Sequence, residues 1–160
     1  MAARKGPKVV SASRRTDLFT DENFPTFVTA FTNGYIDVSH LHVYCLIFQV
    51  PNPRSGLVSR VDLNPATLRA VVCWSKDYRN LIQHFIDHPD FEELMRHYVL
   101  HFQYTLNDEK IDDPLRKLEE HVTTLDERLS QVKWLAERFG PESINWRFDP
   151  ITFWTDTTPG

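Results

Sequence analysis

The sequence predicts an α/β fold: a partial (β/α) barrel of about four βα units on a mainly parallel sheet. Three observations predict it. Short β-branched or alternating segments take turns along the chain with segments of helical period. Prolines and a few glycines punctuate the places where elements end. The third and fourth strand segments keep one polar side for most of their length, which a sheet covered by helices on both faces does not favour. In a barrel, one side of each strand faces helices, and the other faces an interior whose upper end holds polar groups.

Taken in order, residues 8–13 (KVVSAS) form the first strand and lead into the charged run Arg14-Arg15-Thr16-Asp17. Residues 24–32 read as a helix with Phe24, Phe27, Val28 and Phe31 on one side and Gly34 as its stop. Residues 35–64 read as an irregular insertion or arm, with 42–50 as a strand or arm and Asn52-Pro53 as a turn. The second strand, residues 70–75 (AVVCWS), ends at Lys76. Residues 78–88 repeat Leu81, Ile82, Phe85 and Ile86 until Pro89 breaks the helix, and residues 90–98 resume it with Phe91, Leu94 and Met95.

Residues 99–106 alternate cleanly, setting Leu100, Phe102 and Tyr104 against His101, Gln103 and Thr105. The longest helix is residues 124–139, with Leu125, Leu129, Val132, Leu135, Ala136 and Phe139 on its apolar side. Thr124 and Glu127 have capping-box spacing, and Gly140-Pro141 ends the helix. Residues 143–148 close the series, with Ile144, Trp146 and Phe148 opposite Asn145, Arg147 and Asp149.

Composition bounds what such a chain can do. Its 160 residues suit one domain, and 41% hydrophobic with 25% charged residues is ordinary globular usage. A net charge of -4 argues against nucleic-acid binding over the whole surface. Two cysteines, Cys45 and Cys73, exclude a disulfide scaffold and any cysteine-only zinc or iron–sulfur site within the chain. No apolar run approaches the roughly 20 residues of a membrane span, and no signal-peptide core is present, so the expected compartment is cytoplasmic.

Parallel strands of α/β proteins gather their chemistry at their C-terminal ends. Here those ends carry Arg14, Arg15 and Asp17; Lys76; Gln103 and Thr105; and Arg147 with Asp149. Arg15 and Arg147 would grip a carboxylate or phosphate, because the guanidinium fork matches such groups bidentately. The plainer alternative is an internal Arg–Asp pair that neutralises itself. Lys76 could bind an anion, act as a base if burial lowered its pKa, or simply snorkel to solvent. Lys76 and Asp149 could also serve as acid and base without any cofactor.

The histidine pairs His84/His88 and His97/His101 lack acidic or cysteine companions and are weak metal motifs. No nucleophile elbow and no glycine-rich phosphate loop occurs.

The pieces SASRRTD (11–17), VVCWSK (71–76), FQYTL (102–106) and INWRFDPI (144–151) occur in that order, with LDERL (125–129) and GPE (140–142) between the last two. In this arrangement the chain resembles the bacterial domain-of-unknown-function 1848 family over residues 11–151. The resemblance implies a radical-SAM-like barrel whose iron–sulfur cysteine cluster lies near the C-terminus of a longer chain, with no established reaction. By resemblance, Arg14, Arg15, Thr16, Asp17, Trp74, Lys76, Gln103, Thr105, Arg147 and Asp149 are the family's signature positions. Of these, the expected substrate-binding residues are Arg14, Arg15, Asp17, Trp74, Gln103, Thr105 and Arg147, and the expected catalytic ones are Lys76 and Asp149.

The chain departs from the family pattern where Trp74-Ser75-Lys76-Asp77-Tyr78 replaces Trp-Thr-Lys-Asn-Pro, and at Cys73, where an aromatic residue is usual. The cysteine cluster is absent from the sequence. The expectation is therefore a single domain, residues 1–160, that is the N-terminal half of a barrel. Its cluster and S-adenosylmethionine would not be held by this chain alone. Its partners would be an unknown small molecule and a partner chain, or self-association, covering the open barrel edges. The alternative is a non-catalytic truncated relative that serves as a binding or assembly module.

Overall fold

The computed structural model describes residues 8–12, 17–38, 59–107 and 122–148. The chain runs β1 (Lys8–Ala12), α1 (Phe24–Asn33), β2 (Tyr35–Val38), β3 (Ser59–Asp62), β4 (Leu68–Ser75), α2 (Arg79–Asp87), α3 (Pro89–Arg96), β5 (Val99–Thr105), α4 (Leu125–Phe139) and β6 (Ile144–Arg147). All four strands expected for the main sheet form, in the order β1-β4-β5-β6, and every neighbouring pair is parallel. Residues 35–64, read from the sequence as an arm, begin and end in an antiparallel ribbon of β2 and β3. The stretch 42–50 lies outside the described residues.

The strand order follows the chain order, so the sheet is wound in one direction only. Right-handed crossovers then put the connecting helices on one face. Burial agrees: Val10 and Ala12, Val71, Cys73 and Ser75, and Leu100, Phe102 and Tyr104 are buried. The register aligns them across the sheet, with Val71 beside Leu100 and Cys73 beside Phe102. The other parity of each strand is half-buried or exposed, apart from buried Leu68 at the start of β4 and Thr105 at the end of β5. Among the described residues the sheet is open, with β1 and β6 at its edges.

Local chemistry sets the element ends. Pro25 opens α1, where a missing N–H costs nothing, and Gly34 closes it at φ 73°, a left-handed conformation that favours glycine. Pro89 divides α2 from α3. Thr124 caps α4, accepting from the Glu127 N–H, while the Glu127 carboxylate accepts from the Thr124 N–H at 2.9 Å. Buried Glu92 on α3 pairs with Arg96 at 2.7 Å and with Arg138 of α4 at 2.9 Å, joining two helices.

The core between helices and sheet is largely aromatic. Phe27 lies with its ring 5.1 Å from Phe19 and 4.8 Å from Phe31, and Phe85 stacks on Trp134 of α4. Ile144 packs against this core, but Trp146 and Phe148, expected on the same apolar side, are 68% and 58% exposed. Both lie at the sheet's edge, where the described helices cover only the start of β6. Because Phe27 touches the loop after β1, α1 and α3 together, Phe27→Ala should destabilise the fold by about 3–5 kcal/mol, read from urea denaturation.

Candidate functional site at the strand C-terminal ends

The side of the sheet away from the buried parity is layered by the register. Ser11, Val72 and His101 share one layer, Trp74, Gln103 and Asn145 the next, and Thr105 and Arg147 the last. Polarity rises toward the C-terminal ends of the strands. Trp74 donates its indole N–H to Ser11 Oγ at 2.8 Å, which ties the middle of the sheet to β1. The Arg147 guanidinium lies 4.8 Å from the centre of the Trp74 ring. Neighbouring strands are about 4.8 Å apart, so this cation–π contact reaches from β6 across β5 to β4. Asn145 donates to Gln103 Oε1 at 2.7 Å.

The structure thus brings together Trp74, Gln103, Thr105 and Arg147 from the expected site. Lys76 is half-buried just beyond the end of β4. Arg14, Arg15 and Asp149 lie outside the described residues.

Asp17 stands apart from that layer. Its carboxylate accepts from the Phe19 N–H at 2.8 Å and from Ser75 Oγ at 2.6 Å, and its carbonyl accepts from Asn23 at 3.0 Å. Asp17 thereby pins the turn after β1 to the end of β4. Ser75 continues the chain of bonds by accepting from the Asp77 N–H at 2.9 Å. The buried Asp77 carboxylate accepts from the Arg79 N–H at the start of α2, from the Thr123 N–H, and from Gln131 Nε2 at 2.8 Å.

Gln131, buried on α4, uses its carbonyl oxygen for the Tyr78 N–H at 2.7 Å and for the Tyr104 hydroxyl. Sequence reasoning missed Ser75, Asp77 and Gln131, because nothing in a helical period marks one glutamine as buried. The departure from the family pattern at Ser75 and Asp77 was the available signal.

A cleft of about 500 Å³ opens beside this network, lined by Asp17, Phe19, Asp21, Glu22, Asp77 and Arg79 among others. The carboxylates of Asp17, Asp21 and Asp77 there already accept hydrogen bonds from protein groups. Among the described residues no group of three or more His, Cys, Asp or Glu side chains could hold a metal ion. His84 and His88 lie with ring centres 4.3 Å apart, and His84 also meets the edges of Phe24 and Phe91. Burial, then the neighbouring His88, holds His84 below its ordinary pKa. His97 and His101 do not share a helix, because α3 ends at Arg96 and His101 belongs to β5.

A family model described as a domain of unknown function, DUF1848, matches residues 9–159. The chain belongs to this family. No curated protein and no solved structure matches it. The DUF1848 match runs through all four strands of the parallel sheet and spans every expected site residue. The family's description specifies no chemistry, so any function has to be argued from the residues. Among the described residues no helix is long and apolar enough to cross a membrane.

Two outcomes follow for the buried network. Gln131→Leu strands the Tyr78 N–H and the Tyr104 hydroxyl in the core and should cost about 3 kcal/mol in urea unfolding. Adding Tyr104→Phe should recover part of that loss. Burial also pushes the Tyr98 phenol from 10.0 up to about 12, and raises Tyr78 and Tyr104 as well. A raised phenol favours the folded state below its unfolded pKa, and this stability is lost as pH rises through the folded value. Stability should therefore fall between about pH 10 and 12. Tyrosinate absorbance of these three residues should appear together with unfolding, and ionisation within a folded chain would contradict this.

Proposed function

We propose that this DUF1848 chain is the N-terminal half of a barrel enzyme that binds an anionic small molecule on the open face of its sheet. One observation carries the reading: Arg147 lies over Trp74 at the C-terminal ends of the parallel strands, with Thr105 and Gln103 in the adjoining positions. Stacking on the indole restrains the guanidinium, whose planar fork matches a carboxylate or phosphate bidentately. Thr105 adds a hydroxyl in the same layer. Arg14 and Arg15, close in sequence to Asp17, would extend this anion site. Lys76 and Asp149 would move protons at its rim. The setting would be the cytoplasm.

The radical-SAM-like part of the reading calls for an iron–sulfur cluster and S-adenosylmethionine. This chain's cysteines do not fit the cluster. Cys73 is 1% exposed on the helix-covered side of β4, away from the site, and burial pushes its thiol well up, which disfavours the thiolate that ligates iron. Cys45 alone could not complete such a centre. Ligands for a cluster would have to come from outside this sequence. Anaerobic reconstitution of this chain with iron and sulfide should therefore yield no iron–sulfur absorption, and a stable cluster on it would overturn the assignment.

For the anion site, calorimetry with S-adenosylmethionine and with simple carboxylates should show binding that Arg147→Ala weakens about tenfold or more. Arg147→Lys should restore only part of it, since a point charge lacks the fork. Equal binding by all three proteins removes the proposal.

A second reading, an assembly module, is favoured by the sheet edges, which are open among the described residues. Val9 on β1 is 62% exposed, and Trp146 and Phe148 lie exposed at the other edge. Unpaired edges invite pairing with another chain or a second copy. Size-exclusion chromatography showing a clean monomer would count against this second reading.

A further inference from the structure

Beside the anion site, the same face carries a polar cross-strand pair. Gln103 and Asn145 stand directly opposite each other on β5 and β6, in the layer that also holds Trp74. The Asn145 amide N–H donates to Gln103 Oε1 at 2.7 Å, so this single bond orients both groups. With Gln103 Oε1 accepting, the Gln103 NH2 keeps its donors. With Asn145 Nδ2 donating, Asn145 Oδ1 remains an acceptor. Neither of these two atoms has a further protein partner among the described residues.

We infer that Gln103 and Asn145 form a neutral reader that recognises a carboxamide-type group of the ligand, one offering a carbonyl acceptor and an N–H donor. The inference rests on the proposal that the open face binds a small molecule, and it adds a substrate class to that site. The Gln103 NH2 donates to the ligand's carbonyl, and Asn145 Oδ1 accepts from its N–H. Arg147, one layer further toward the strand ends, would hold a negative group on the same molecule. The pairing selects by pattern rather than by charge, because a ligand lacking the donor or the acceptor leaves one of the two amides unanswered. A cross-strand amide pair with a purely structural role would instead be indifferent to what binds above it.

Side-chain NH2 resonances of Gln103 and Asn145 can be followed by heteronuclear NMR during titration with benzamide, N,N-dimethylbenzamide and benzoate. Benzamide should shift both NH2 pairs, whereas N,N-dimethylbenzamide, which has the acceptor but no N–H, should bind about tenfold more weakly. Gln103→Leu and Asn145→Leu should each weaken benzamide binding about tenfold, and Asn145→Leu should leave benzoate binding within about twofold. Should Gln103→Leu fold poorly, the near-isosteric Gln103→Glu tests the same loss, since it replaces the NH2 that donates to the ligand carbonyl with an acceptor-only carboxylate.

Benzoate binding that depends on Arg147, with no benzamide-specific shift at either amide, overturns this inference and leaves the anion site standing. Failure of benzoate and benzamide alike removes both. Benzamide shifts that survive both substitutions would place the contact elsewhere and also overturn the inference.

Discussion

Crossovers between parallel strands turn right-handed, and in this chain the strands lie in the sheet in the order in which they are made. Among the described residues these two conditions place the helices on one face and leave the other uncovered. Everything of functional interest depends on that asymmetry. The helix-covered parity holds Val71, Cys73, Phe102 and Tyr104, all buried, whereas the opposite parity holds Trp74, Gln103, Asn145 and Arg147. A sheet whose order reversed midway would take helices on both faces, and the polar side chains of the second and third layers would then need buried partners.

The rim of this open face is held by hydrogen bonds rather than by apolar packing. Asp17, Ser75, Asp77 and Gln131 form a continuous series that joins the turn after β1, the end of β4, the start of α2 and the middle of α4. Each bond is ordinary in strength, but each buried member would be costly to leave unsatisfied, so the four elements move together or not at all. That rigidity matters beside a binding surface, where positions must hold to a fraction of an ångström. Asp17 thus has a structural task whether or not it also meets a ligand.

Much of this was legible beforehand in particular residues. Strict alternation in residues 99–106 separated Phe102 and Tyr104 from Gln103 and Thr105, and the structure divides them the same way. Thr124 with Glu127, Gly34 and Pro89 marked helix ends because capping and proline geometry are local matters. The same reasoning misled at β6. Trp146 and Phe148 look like core by alternation, yet an apolar side chain is buried only if something covers it, and at a sheet edge the described helices do not. The importance of Asp77 and Gln131 was hidden because both depend on contacts between residues more than fifty positions apart.

The amino-acid sequence by itself determined the type and order of the elements, since period, capping and chain-breaking act within a few residues. It also determined that two cysteines cannot supply a cluster. Which face of the sheet stays open, which carboxylates are consumed in holding the rim, and which side chains meet across β4, β5 and β6 were decided only in three dimensions. Register and crossover direction bring Trp74, Gln103, Asn145 and Arg147 onto one surface, and no local rule along the chain connects them.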